Sequence, residues 1–195
     1  MRIAFVGAQG TGKTTLVNEM AKHYPDFVVY DEVVRSLAKD HNVQVNRDGT
    51  SHTQCLITQA HLENITNAYF KQQSAFFDRC IIDSHSYAWY QYEDNRISKQ
   101  ALDFSNSILD IINEMFPYDL IVYVPPIIDL VEDGFRDTDS GYRDAVDEYM
   151  MRLLDGATPL GQPYIKNVHK LQSKTIEDRV DELSRVMKSI GEHDE

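Results

Sequence analysis

The sequence has only two cysteines, no long apolar run and no excess of positive charge, and each absence excludes a class of protein. Cys55 and Cys80 stand apart among 195 residues, with no Cys-x-x-Cys or His-rich spacing. A disulfide scaffold and a structural zinc site are therefore not expected. No stretch approaches the roughly 18 consecutive apolar residues that a membrane-spanning helix needs. The N-terminal apolar run ends at a glycine-rich turn, unlike a signal peptide. These features favour a cytoplasmic protein that has no membrane partner.

The balance of charge narrows the expected partners further. The chain has 31 acidic residues against 19 Lys and Arg, which gives a formal net charge of −12. Broad binding to nucleic-acid backbones needs a cationic face, so sequence-independent binding of DNA or RNA is disfavoured. A local basic cleft remains compatible with this composition, because electrostatic focusing depends on where charges lie rather than on their sum.

Short apolar segments alternate with longer amphipathic ones, a pattern typical of an α/β fold built from βαβ units around a parallel sheet. The five predicted strands cover residues 2–6, 27–31, 74–78, 118–126 and 163–171. The predicted helices cover residues 13–24, 32–40, 52–73, 79–94, 97–116 and 175–190, and Thr175 is the expected N-cap of the last one. No internal repeat or linker divides the chain, so we predict a single domain over residues 1–195.

The residues between the first strand and the first helix match the phosphate-binding pattern G-x-x-x-x-G-K-[ST]. Glycines let backbone N–H groups converge on phosphate oxygens, the lysine reaches the β- and γ-phosphates, and the threonine hydroxyl binds magnesium. A glycine-rich turn without function is the alternative, but the strand–helix context favours ATP and Mg²⁺ as cofactors. The predicted nucleotide-binding residues are Gly7, Gln9, Gly10, Thr11, Gly12, Lys13, Thr14 and Thr15.

A P-loop predicts nucleotide binding but no particular reaction, so the rest of the chain must distinguish a kinase from a GTPase or a motor ATPase. No Asn/Thr-Lys-x-Asp segment, which a GTPase uses to read its base, follows the predicted fourth strand. A small-molecule kinase needs a carboxylate base at an acceptor site, arginines that grip phosphate, and a lid that excludes water. Each of these has a candidate in the sequence.

The candidate catalytic residues beyond Lys13 are two carboxylates and two arginines. Glu32 follows the second strand at the edge where α/β sheets bind ligands, and Asp31 is the alternative base. Arg35 lies three residues after Glu32, so we expect both on one helix face, although a simple surface ion pair would look the same. Arg136 and Arg143 lie in a glycine-flanked charged stretch and are the expected lid arginines; a solvated acidic helix is the alternative.

A second cluster follows the third strand. Asp78 ends this strand and is predicted to hold magnesium together with Thr14, while Arg79 and Asp83 are predicted to reach the substrate. Solvation of a strand end is the alternative for all three residues of the cluster. The aromatic residues after Asp83 are expected to pack against the core more readily than to stack on a base.

Four segments in this order, "GAQGTGKTT", "DEVVR", "DRCIIDSHSY" and "DGFRDTDSGYRDAVD", resemble the ribosylnicotinamide-kinase-like AAA-type P-loop family, relatives of the nucleoside and nucleotide kinases. The resemblance implies a three-layer sandwich whose five-stranded parallel sheet has the order 2-3-1-4-5, with a helical lid at about residues 129–155. It also implies the roles given above for Glu32, Arg35, Asp78, Arg79, Arg136 and Arg143. Asp31 stands where the family pattern has proline, which leaves the base open between Asp31 and Glu32.

The same family includes bacteriophage kinases that phosphorylate 5-hydroxymethyluracil within DNA. The acceptor is therefore left open between a free nucleoside or nucleotide and a DNA base, and 5-hydroxymethyluracil is the sharpest candidate despite the acidic net charge. A bacteriophage protein would act in the host cytoplasm. The alternative function is a P-loop ATPase or nucleotide-dependent switch without a phosphorylated product. A homodimer is left open, because the sequence does not set the oligomeric state.

Overall fold

The protein folds around a five-stranded sheet in the order β2-β3-β1-β4-β5, and every pair of neighbouring strands is parallel. This computed structural model describes residues 1–34, 37, 49–126, 140–156 and 165–191. The strands are β1 (Arg2–Val6), β2 (Val28–Tyr30), β3 (Ala75–Asp78), β4 (Leu120–Tyr123) and β5 (Val168–Lys170). The predicted α/β class and strand order are thereby confirmed.

The helices within the described residues lie on both faces of the sheet. They are α1 (Lys13–His23), α2 (Ser51–Phe70), α3 (Ile81–Glu93), α4 (Lys99–Met115), α5 (Ser140–Leu154) and α6 (Ile176–Gly191). The predicted helices 13–24, 52–73, 79–94, 97–116 and 175–190 are present with slightly different ends. Most of the predicted helix 32–40 lies outside the described residues. Strand β4 stops well before the predicted end at residue 126, because Pro125 and Pro126 have no N–H to donate to a ladder.

Strand β1 lies at the centre and contributes to a core on each face of the sheet. Ala4 and Val6 pack into a cluster with residues of α2 to α5, whereas Ile3 and Phe5 pack with residues of α1 and α6. Alternate side chains of a strand point to opposite faces, so a strand buried on both sides reads as a continuous apolar run. This explains why "RIAFV" was recognisable as a strand.

Local capping also follows the sequence. The Thr175 hydroxyl accepts a hydrogen bond from the Asp178 amide at 3.2 Å. Thr175 is thus the N-cap of α6, as predicted. Both cysteines are unpaired. Within the part of the chain that the structure describes, no helix is both long and apolar enough to cross a membrane.

Candidate functional site

The P-loop connects β1 to α1 at the carboxyl end of the central strand. Gly7 has a φ of 152°, and a Cβ there would lie 2.4 Å from the carbonyl oxygen of Val124, just beyond β4. Gly12 is the N-cap of α1 with a φ of 87°. Both positions therefore need glycine. A small pocket is lined by Gly10, Thr11, Gly12, Lys13, Thr14, Thr15 and Arg79. The remaining predicted loop residue, Gln9, is buried, whereas Thr15 is largely exposed.

Lys13 folds back over the loop. Its Nζ donates hydrogen bonds of 2.7 Å to the carbonyl oxygens of both Gly7 and Ala8. Burial lowers the pKa of Lys13 to about 7, and repulsion from Arg79 adds to this effect, while the nearby carboxylates oppose it. The ammonium group is thus held where a P-loop lysine meets the phosphates of a nucleotide.

The two predicted metal ligands lie side by side. The Thr14 hydroxyl donates to Oδ2 of Asp78 at 2.5 Å. Asp78 is 3% exposed, and its Oδ1 is buried without a hydrogen-bond partner. Within the described residues no group of three or more His, Cys, Asp or Glu side chains could hold a metal. A hydroxyl and one carboxylate fit Mg²⁺, which is usually bound through one or two carboxylates together with phosphates and water.

An ion network links the second and third strands to the P-loop. The Nε of Arg79 donates to Oε1 of Glu32 at 2.6 Å, and its Nη1 donates to Oδ1 of Asp83 at 3.2 Å. Asp83 also accepts from the amides of Gly7 at 3.3 Å and Cys80 at 3.0 Å. Burial raises the pKa of Asp83, although Arg79 opposes the shift. Burial also disfavours the charged form of Arg79, but the carboxylates outweigh it and raise the pKa.

Arg79 itself adopts an unusual backbone conformation, with a φ of 77°. A non-glycine residue in the left-handed region is strained, and such residues concentrate at functional sites. Its amide donates to the carbonyl oxygen of Phe5 at 3.1 Å, which fixes the residue to the end of β1. The guanidinium is thereby aimed between the P-loop and β2.

A second pocket adjoins the P-loop pocket, and Arg79 lines both. Its lining residues are Glu32, Val34, Gln54, Ile57, His61, Arg79, Asp83, Ser84 and Tyr87. Asp31 is exposed and does not line this pocket. Glu32 precedes the helical residues 33 and 34 and pairs with Arg79, so it does not lie on a helix face as expected. Its expected neighbour Arg35 lies outside the described residues.

The predicted lid is only partly described. Arg136 lies outside the described residues, whereas Arg143 is on α5. Asp147 lies one helical turn after Arg143, on the same face of α5, and its Oδ2 accepts a 2.7 Å hydrogen bond from the Tyr123 hydroxyl. Burial raises the pKa of Asp147, while Tyr123, the Ala8 amide and Lys13 oppose the shift. This face of α5 is therefore directed at the P-loop.

The aromatic residues after Asp83 divide between the pocket and the core. Tyr87 lines the second pocket, and the Arg79 guanidinium carbon lies 5.8 Å from the centre of its ring. Trp89 stacks on Tyr149 of α5, and Tyr90 makes an edge contact with Tyr142. Most of these rings thus join α3 to α5, as the packing interpretation predicted.

Sequence reasoning missed the buried polar residues that approach the site from distant segments. Arg179 of α6 is 2% exposed and donates to the carbonyl oxygens of Thr11 at 3.2 Å and Ser173 at 3.0 Å. His61 and Gln54 of α2 line the second pocket. No local pattern marks these residues, because each meets the site through tertiary contacts.

Comparisons with known proteins agree with this architecture. A protein-family profile described as an AAA domain matches residues 2–179. We found no matching relative among curated protein sequences. The NadR protein in complex with NR has a TM-score of 0.69 and 20% identity over 94% of this chain, which spans only 50% of that NadR chain. A deoxyadenosine kinase from M. mycoides with bound dCMP and dCDP has a TM-score of 0.65 and 15% identity, over 97% of this chain and 100% of that one. At such identities the likeness shows the fold, and the profile shows the family: the chain belongs to the AAA-domain P-loop family.

Proposed function

We propose that this protein is an ATP- and magnesium-dependent kinase that transfers the γ-phosphate to a hydroxyl group of a nucleoside-like acceptor. One observation carries the proposal: a second pocket adjoins the P-loop pocket, and Arg79, which lines both, holds the carboxylate of Glu32 in the wall of the second pocket. A switch or a motor ATPase needs the first pocket only. Transfer between two substrates needs both, side by side.

The donor side would be held by the P-loop. Lys13 would exchange its hydrogen bonds to the loop carbonyls for hydrogen bonds to the β- and γ-phosphates. The backbone N–H groups of the loop would donate to the remaining phosphate oxygens. Thr14 and Asp78 would hold magnesium, which neutralises charge that develops on the phosphates. Arg143, together with Arg136, is the proposed lid arginine that stabilises the transferred group.

The acceptor side would be organised by Glu32. Its carboxylate accepts a hydrogen bond from the attacking hydroxyl and orients it toward the γ-phosphate. Arg79 fixes the carboxylate through the 2.6 Å contact and is therefore a positioning residue. Asp83 and Arg35 remain proposed contributors to the acceptor site, and Asp31 is the weaker candidate for the base because it is exposed.

The structural neighbours support a nucleoside-like acceptor, since one contains NR and the other is a deoxyadenosine kinase with bound dCMP and dCDP. A free nucleoside, a free nucleotide and 5-hydroxymethyluracil in DNA are separated by one experiment. Each is offered with γ-labelled ATP and Mg²⁺, and the phosphorylated product is identified. Label released only as inorganic phosphate, whatever acceptor is present, would favour the switch.

Substitutions then test the assigned roles. Lys13→Ala should lower turnover by orders of magnitude, because the phosphates lose their principal side-chain cation. Glu32→Gln should reduce transfer by about 10²- to 10⁴-fold with little change in ATP affinity, which is the range for a positioned base. Asp31→Asn is the matched control and should retain transfer. The assignment of the base is wrong if the two variants exchange behaviours.

A further inference from the structure

The second pocket has a polar wall that the transfer reaction does not use. Helix α2 contributes Gln54 and His61, which are seven residues apart and so lie on one face of the helix. Ile57 lies between them and supplies an apolar surface. The same pocket is also lined by Glu32, Arg79 and Asp83 of the ion network.

His61 is a buried residue of the second pocket. The residue is 3% exposed, and it lines the pocket together with Gln54 and Ile57. Burial lowers the pKa of His61 to about 3, and repulsion from Arg79 adds to this effect. The imidazole is therefore neutral at physiological pH and offers one N–H donor and one nitrogen acceptor to the pocket. These two ring nitrogens are the polar groups that His61 contributes to the lining of the pocket.

Gln54 lies two helical turns before His61 and lines the same pocket. Its Nε2 donates to Oε1 of Gln91 at 2.9 Å, which fixes the orientation of the amide. Its Oε1 is buried and has no donor. The same helix therefore presents the unpaired amide oxygen of Gln54 and the neutral imidazole of His61 beside the apolar side chain of Ile57. That combination suits the edge and face of a heterocycle better than a sugar alone.

The charge of the pocket argues against an anionic ligand. Arg79 is the only cation among its lining residues as described, and it is held by the carboxylates of Glu32 and Asp83. A phosphate group placed here would face two carboxylates with no uncommitted cation among those lining residues. A neutral ligand avoids this cost.

We propose that His61, together with Gln54, forms a recognition wall for the uncharged heterocyclic base of the acceptor, so that the pocket selects nucleosides over nucleotides and over base-free sugars. The inference rests on the proposed function for the identity of this pocket as the acceptor site. His61 acts on binding and has no part in phosphoryl transfer, because Glu32 already supplies the carboxylate at the reacting end.

The test separates binding from turnover. Binding of the common ribo- and deoxyribonucleosides, their 5′-monophosphates, ribose and deoxyribose is measured by calorimetry in the presence of a non-hydrolysable ATP analogue. The wild type should bind its best nucleoside at least tenfold more tightly than the matching sugar or monophosphate. Equal binding of sugar and nucleoside, or preference for the monophosphate, would overturn the inference. Selective binding without any phosphorylated product would instead refute the proposed kinase and leave the recognition wall standing.

Variants identify the residue responsible. His61→Leu should weaken nucleoside binding about tenfold, the typical net loss when one hydrogen bond to the ligand is removed. If the kinase is active, this change appears in the acceptor KM, with kcat and the KM for ATP within about threefold of wild type. His61→Gln should recover most of the affinity, because an amide again offers a donor and an acceptor. His52→Ala is the control, since His52 is exposed on the same helix. A His61→Leu protein that folds and retains full nucleoside selectivity would contradict the assignment.

Discussion

Replacing Gly7 by alanine tests how closely the P-loop is fitted against β4. The added Cβ would lie 2.4 Å from the Val124 carbonyl oxygen, so the loop and that carbonyl must separate by about 0.6 Å to reach 3.0 Å, the shortest contact that real Cβ atoms make. Val124 cannot yield easily, because its amide donates to Val6 at 2.8 Å and continues the pairing of β1 with β4. The φ of 152° adds backbone strain of about 1–3 kcal/mol. Movement of Val124 would also weaken its hydrogen bond to Val6. We therefore expect Gly7→Ala to lower the free energy of unfolding by about 2–4 kcal/mol.

Chemical denaturation of the two proteins measures this difference, and Gly191→Ala provides the control. A Cβ at Gly191 meets no atom within 4 Å, and its helical position favours alanine by up to about 1 kcal/mol. That variant should be as stable as wild type or slightly more so. Gly7→Ala should also bind ATP more weakly, because Gly7 contacts both Lys13 and Asp83. A Gly7→Ala protein with the wild-type denaturation midpoint and ATP affinity would refute the reasoning.

Three further predictions concern residues around the site. Burial alone would raise the pKa of Glu182, but hydrogen bonds from Ser173, His169 and nearby amides lower it to about 2. Its charge therefore stabilises the fold above about pH 4.5, and this contribution is lost as the pH falls toward 2. Glu182→Gln should cost about 1–2 kcal/mol at pH 7 and flatten the acid limb of a stability profile. Asp78→Asn should raise the Mg²⁺ concentration for half-maximal activity about tenfold or more, which a metal titration measures. Arg179→Met should weaken ATP binding several-fold in calorimetry, because the Thr11 carbonyl loses its anchor.

The parts of the site that sequence could predict are those built by neighbouring residues. The P-loop, the strand before it and the helix after it occupy one continuous segment, so spacing alone identified them. Thr175 was recognisable as an N-cap for the same reason. The strand order came from the resemblance to a known family, since nothing local states which strands are neighbours.

The remaining features depend on contacts between distant segments. Arg79 donates a hydrogen bond to Glu32, which is 47 residues away in the sequence, and Arg179 donates one to Thr11, which is 168 residues away. Glu32 was expected to share a helix face with the nearby Arg35, because sequence reasoning favours short separations. No local pattern marks His61, since its burial becomes visible only when α2 is packed against the sheet. The left-handed backbone of Arg79 has no sequence signal at all.

The ion network around Arg79 makes ligand binding a test of whether the whole chain is folded. Its members come from the P-loop, the end of β2 and the start of α3, so no fragment of the chain contains a complete site. A ligand that recognises this network would bind only the fully folded protein. Mass action would then add about 2.7 kcal/mol of stability at a ligand concentration of 100 times Kd. Resistance to proteolysis in the presence of ligand would thus report damage anywhere in the fold, including substitutions far from the pocket.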